Sequence, residues 1–207
     1  MKLSGYSFAL ARGQFTKPYL SRLIASVSQR DSALDELRVA FFFDRNSFRI
    51  NRWGPVGANG LEGEFTICGP SLQEIFVEVK SPGWESELSR QEIEAGRKAL
   101  PKYINGEARW YDPQAAIRFA IQKAYPKFRN DQPNLLVIAD DLFVSLQHGT
   151  DWAARTALYS REGCLTNNAY QNLEGVGISW TVNNDREVWY RMRLFLNPNA
   201  VLAVRLP

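Results

Sequence analysis

Four charged residues stand where the chain turns back on itself. Glu62 and Glu64 lie in Leu61-Glu62-Gly63-Glu64-Phe65-Thr66-Ile67-Cys68, and Glu78 and Lys80 lie in Ile75-Phe76-Val77-Glu78-Val79-Lys80-Ser81. The turn Gly69-Pro70-Ser71-Leu72 separates the two runs, which reads as a β-hairpin. Side chains alternate along a strand, so Glu78 and Lys80 share one face and Val77 and Val79 take the other. Folding the hairpin about Ser71 sets Glu64 opposite Glu78 and Glu62 opposite Lys80. A slip of two residues keeps the same four side chains on one face. Facing carboxylates repel each other, and a shared cation relieves the repulsion. Oxygen ligands of this kind suit Mg²⁺ or Mn²⁺, and Mg²⁺ keeps several waters and takes only one or two carboxylates. Such an ion polarises a phosphodiester and activates an attacking water. A lysine beside it stabilises charge on the phosphate. The set points to metal-dependent phosphodiester hydrolysis. Alternation alone does not separate Glu62 from Glu64 as the first ligand. The competing reading is a solvated strand face with cross-strand ion pairs, each worth little.

The elements around the hairpin must position these groups. Leu20, Leu23, Ile24, Val27, Leu34 and Leu37 recur at helical spacing over residues 18–38. Ser32 is placed to cap a second helical piece, with Asp35 and Glu36 in its first turn. Val39 to Asp44 is aromatic and β-branched and predicts a strand, with Phe48 to Trp53 as its partner. Ser89-Arg90-Gln91-Glu92 has the form of a capping box and predicts a helix toward Leu100. Asp112-Pro113 opens another helix, with Ala116, Ile117, Ala120, Ile121 and Ala124 as its apolar stripe and Pro126 as its stop. Leu135 to Ala139 is a continuous apolar run, as in a strand buried on both faces. Gly177 to Val182 and Val188 to Leu196 read as late strands paired through Asn183-Asn184-Asp185. The order predicts an α/β fold, a mixed central β-sheet flanked by helices.

Glu78-Val79-Lys80 at a strand end, with an acid on the hairpin partner and a helix after it, resembles the PD-(D/E)xK nuclease superfamily. The resemblance implies a restriction-endonuclease-like core ordered helix, three strands, helix, strand, which maps onto residues 18–140. Residues 141–207 then extend the sheet within a single domain spanning 1–207. It also implies roles: Glu78 as a metal ligand, Lys80 as the catalytic lysine, Glu64 where the family usually has aspartate, and Glu36 as an additional acid from the first helix. A Mg²⁺-dependent nuclease acting on DNA is the expectation. A catalytically inactive nuclease-fold module that binds nucleic acid or a protein partner is the alternative. The departures are Gly63-Glu64 in place of a Pro-Asp pair and the lack of a Gln-x-x-x-Tyr helix.

Basic residues follow the hairpin, and aromatic residues are interleaved with them. Trp84, Arg97, Lys98, Lys102, Arg118 and Lys123 are expected to contact nucleic acid, the cations through phosphates and the indole through stacking. Arg109, Lys127 and Arg129 belong to the same stretch, and for all of these residues aromatics in the core with cations on a solvated helix face is an equal reading. Net charge is +3, with 25 Lys and Arg against 22 Asp and Glu among 207 residues, so charge permits such a partner without requiring it. The 45% hydrophobic and 23% charged fractions are those of a globular protein. Cys68 and Cys164 have no CxxC partners, which excludes a zinc ribbon and gives no disulfide framework. His148 is the only histidine, so Ser-His-Asp chemistry is disfavoured. No apolar run approaches a membrane span and no signal-peptide core opens the chain. A cytoplasmic protein is expected, with a homodimer among its admissible states.

Overall fold

The computed structural model describes residues 21–22, 27–81, 113–140, 149–183 and 188–202. Helix α1 runs Val27–Arg45, followed by β1 (Arg49–Trp53), β2 (Phe65–Cys68) and β3 (Glu74–Lys80). Helix α2 (Pro113–Ala124) leads through a 3₁₀ turn, Tyr125–Lys127, into β4 (Asn134–Asp140). Helix α3 (Gly149–Tyr159), β5 (Gly175–Asn183) and β6 (Val188–Leu196) complete the order. Among the described residues the strands form one six-stranded sheet in sequential order. β3, β4 and β5 are mutually parallel, and β1–β2–β3 and β5–β6 are antiparallel. The class is α/β, a mixed sheet with flanking helices.

Each sheet face is buried under helices. On one face, Ile67, Ile75, Val77, Val79, Leu135 and Val137 pack against Val39, Ala40 and Phe43 of α1. On the other, Phe76, Leu136, Ile138, Val176 and Ile178 pack against Ile117, Ala120 and Ile121 of α2 and Ala153, Ala157 and Leu158 of α3. The central strands β3 and β4 are apolar on both faces because both faces are covered. Glu78, with no exposed surface, is the exception within β3.

The predicted strand over Val39 to Asp44 is helix instead. Leu37, Val39, Ala40 and Phe43 are buried, and Ala33 is buried four residues before Leu37. That spacing lays one helical stripe on the sheet, and the burial outweighs the β preference of Val39 and the phenylalanines. The helix stops at Asn46, whose backbone N–H donates to the Phe42 and Phe43 carbonyls at 3.2 and 3.0 Å. Beyond it Ser47 takes a positive φ of 67°. Helix α2 begins at Pro113 and ends before Pro126, with Ile117, Ala120, Ile121 and Ala124 buried as the stripe predicts. Asp112 and the expected helix from Ser89 lie outside the described residues, as does His148. Both cysteines are free and buried. Among the described residues no helix is long and apolar enough to cross a membrane.

The chain entering β2 is held by a close approach. A Cβ on Gly63 would stand 2.1 Å from Cζ of Phe76, so only glycine lets the backbone cross that ring. Its N–H donates to the Pro55 carbonyl at 2.9 Å, and the Gly54 N–H donates to the Glu64 carbonyl at 3.0 Å. Gly63→Ala is therefore expected to force the buried Phe76 ring aside, at a cost of about 1–3 kcal/mol. Urea denaturation would show it as a lower midpoint at unchanged slope.

Candidate active site

The acids meet at the carboxyl end of β3. The β2–β3 ladder pairs Phe65 with Val77 and Thr66 with Phe76. Glu64 stands just before the first paired residue, and the charges of Glu36 and Glu78 both bear on its carboxyl. Glu36 arrives from α1. Its neighbour Asp35 accepts from the Ser81 hydroxyl at 2.6 Å and from Arg38 at 2.7 Å. Ser81 directly follows β3, so this bond pins the middle of α1 to the end of the strand. Glu36 therefore sits mid-helix and 2% exposed. It is not the exposed first-turn charge that a cap at Ser32 predicts.

The cluster is strongly acidic and partly neutralised. Burial, the charges of Glu36 and Glu78, and a hydrogen bond to Glu36 push the Glu64 carboxyl from 4.5 to about 8, against the pull of Lys127. At neutral pH Glu64 carries a proton, which it donates to Glu36. Arg22 forks onto Glu36, one guanidinium nitrogen at 2.9 Å from Oε2 and the other on Oε1. The Ser32 hydroxyl adds a donor at 3.4 Å. Glu78 Oε1 accepts from both Lys80 and Lys127, the latter at 2.6 Å. Glu78 Oε2 is buried and has no hydrogen-bond partner among the described residues. A bare carboxylate oxygen out of water is costly, so this atom marks where a ligand would be welcomed.

Glu62 does not join. The predicted strand Leu61 to Cys68 starts only at Phe65, and the alternation that would aim Glu62 at Lys80 stops there. Glu62 is exposed, makes an isolated bridge to Val56 and lies over Gly54, a glycine with φ of +57°. The close passage of Gly63 over Phe76 interrupts the pleat. Trp84, Arg97, Lys98 and Lys102 lie outside the described residues. Arg118 sits beside Cys164, whose thiol burial pushes up while Arg118 pulls it down. Lys123 lies over the Phe119 ring at 5.2 Å. Among the described residues the cluster draws its cations from Arg22, Lys80 and Lys127, not from Arg118 or Lys123. Lys127 carries no local signal of this role, because its contact to Glu78 depends on how α2 and its 3₁₀ turn dock.

Among the described residues, no three or more His, Cys, Asp or Glu side chains stand together as a ready metal-ligand set. Arg22 is paired with Glu36, and Lys80 and Lys127 with Glu78. Mg²⁺ needs only one or two carboxylates because it keeps several waters, and Glu64 and Glu78 are the pair of that chemistry here, with Glu78 Oε2 orphaned and Glu36 hydrogen-bonded to Glu64. Arg22 then competes with any such ion for Glu36. Arg22→Ala is expected to tighten Mn²⁺ binding roughly fivefold, equivalent to about 1 kcal/mol for a partly exposed ion pair. Calorimetric titration of both proteins would measure it, and equal affinities would remove Glu36 from the site.

No protein-family model matches the chain, and no curated protein does. Among solved structures it is similar to Pyrococcus furiosus SfsA in complex with Ca²⁺, at 14% identity and a TM-score of 0.31. The match covers 77% of this chain and 60% of that one, so the chain spans well under the full length of that relative. A superposition this loose says nothing of what this chain does.

Proposed function

We propose that this protein hydrolyses phosphodiester bonds in DNA, using a divalent cation, Mg²⁺ or Mn²⁺, held by Glu64 and Glu78 with Glu36 beside them. The observation that carries this reading is Glu78, which is wholly buried with one oxygen on two lysines and the other bare. It sits next to a glutamate whose proton is held by crowding. When bound, the cation supplies a Lewis acid at the phosphate. The chain's own groups supply the rest. Glu64 would lose to solvent the proton it shares with Glu36 and would then serve as a ligand. Lys80, two residues from Glu78 on the same strand face, directs its ammonium to the phosphate side. There it orients the attacking water and offsets charge growing on the phosphate oxygens. The Ser81–Asp35 bond ties the end of β3, which carries Glu78 and Lys80, to α1.

A specific observation also favours a binding module without catalysis. The carboxylates are already neutralised by Arg22, Lys80, Lys127 and a proton, so the cluster is self-consistent without a metal. Cleavage assays on supercoiled, linear and single-stranded DNA and on RNA, with Mg²⁺, Mn²⁺ or EDTA, separate the two. Metal-dependent cleavage supports the enzyme and names its substrate. Retention of nucleic acid without cleavage supports the module.

A further inference from the structure

The lysine pair on Glu78 is lopsided. Both ammonium groups converge on Oε1 while Oε2 stays bare and buried. An arrangement built only to neutralise Glu78 would spread two donors over two oxygens. The two lysines also differ in how they are held. Lys80 belongs to the strand that carries Glu78. Lys127 reaches across from the 3₁₀ turn Tyr125–Lys127, on a separate wall of the site.

That wall is rigid at its backbone. A Cβ on Gly57 would stand 2.3 Å from the Lys127 carbonyl oxygen, so the loop lies directly on the turn. The Asn59 amide donates to the Pro126 carbonyl at 3.4 Å. The next residue, Phe128, is buried with its ring edge-on to Phe76, centroids 6.1 Å apart. The Lys127 backbone is thus fixed, while its side chain keeps 20% exposure and a flexible four-carbon stem. The ammonium can swing while its anchor stays still.

A cation on Glu78 would place a further positive charge against two ammonium groups already there. Like charges so close repel strongly out of bulk water, and one donor must leave. A nucleic-acid strand entering the site brings phosphate oxygens that accept it. We infer that Lys127 is a substrate-phosphate contact that Glu78 holds in reserve and releases when a divalent cation binds. This rests on the nuclease reading and adds a residue to it. Lys80 serves the reacting phosphate, and Lys127 grips the backbone only in the loaded state.

The test is binding, not cleavage. A fluorescein-labelled DNA duplex with phosphorothioate linkages, which resist hydrolysis, is titrated with wild type, Lys127→Met and Lys127→Arg. Fluorescence anisotropy is followed across a salt series, in Mg²⁺ and in EDTA. One lost phosphate contact lowers the slope of log affinity against log salt by about 0.9. In Mg²⁺ the Lys127→Met slope is expected to be shallower than wild type by that amount. In EDTA the two slopes coincide, and Lys127→Arg follows wild type in both. If Lys127→Met does not fold, Lys127→Gln takes its place in the same comparison. Equal slopes in Mg²⁺, or the same deficit in EDTA, would overturn the switch and leave the nuclease reading intact. Wild type that binds neither this duplex nor the corresponding phosphorothioate single strand in either condition would overturn both.

Discussion

Lys80→Ala is expected to cut metal-dependent DNA cleavage by about 10²–10³-fold, the effect of removing one positioned charge from a transition state. Two properties should survive the substitution. Cation binding should persist, because Glu64 and Glu78 remain and one competitor for Glu78 has gone. The fold should persist, because Lys127 still neutralises Glu78 through Oε1 and Lys80 is partly exposed. Lys80→Arg should recover only part of the rate, since a planar guanidinium does not reproduce a compact ammonium beside a strand. Single-turnover cleavage with melting curves alongside measures all of this. Unchanged cleavage in Lys80→Ala would place the chemistry elsewhere.

Stability is expected to fall as pH rises from about 5 to 9 without divalent cation, and this decline should shrink or reverse with it. Glu64 is raised from 4.5 to about 8 in the folded state. The folded protein therefore holds that proton more tightly than the unfolded chain does. Its contribution is complete below about 4.5 and is lost as pH climbs through about 8. At about 1.4 kcal/mol per unit the loss amounts to a few kcal/mol. Glu174 acts in the same direction over a narrower window, since burial lifts it from 4.5 to about 7 despite the Asn134 N–H that it accepts. A bound cation needs Glu64 ionised, so its stabilisation grows over the same range in which the apo protein weakens. Glu64→Gln should flatten the apo curve above pH 7 and abolish the cation effect. Glu174→Gln should trim the apo decline and leave the cation effect whole. Thermal unfolding across pH, with Mg²⁺ or EDTA, would show these patterns, and a Glu64→Gln curve parallel to wild type would contradict the assigned cause.

Much of the sheet was legible because its determinants are local. β3 and β4 announce themselves as apolar runs, and β5–β6 pair as the Asn183-Asn184-Asp185 turn predicts. The hairpin register follows from the turn, with Phe65 opposite Val77 and Cys68 opposite Glu74. Two elements were not legible. Helix α1 absorbs Val39 to Asp44, where aromatic side chains favour a strand until packing on the sheet decides. Helix α3 buries Ala153, Ala154, Ala157 and Leu158, a small-residue stripe with too little contrast to stand out. Within the site, Glu78 and Lys80 declare themselves through one strand's alternation. Glu36 came from family resemblance, and only the tie between Ser81 and Asp35 explains its presence. Glu62 was misplaced because alternation assumes a continuous pleat, which Gly63 breaks over Phe76. Lys127 was one cation in a basic stretch, and only the docking of α2 singles it out.

The central claim is that Glu64 and Glu78, with Glu36 beside them, take a divalent cation, and calorimetric titration of Mn²⁺ at pH 8 tests it most directly. Wild type should bind at one site with release of protons, because Glu64 must give up its own on binding. Glu78→Gln and Glu64→Gln should each lose that site while remaining folded. Wild type that takes up no Mn²⁺, or variants that bind it as wild type does, would contradict the account.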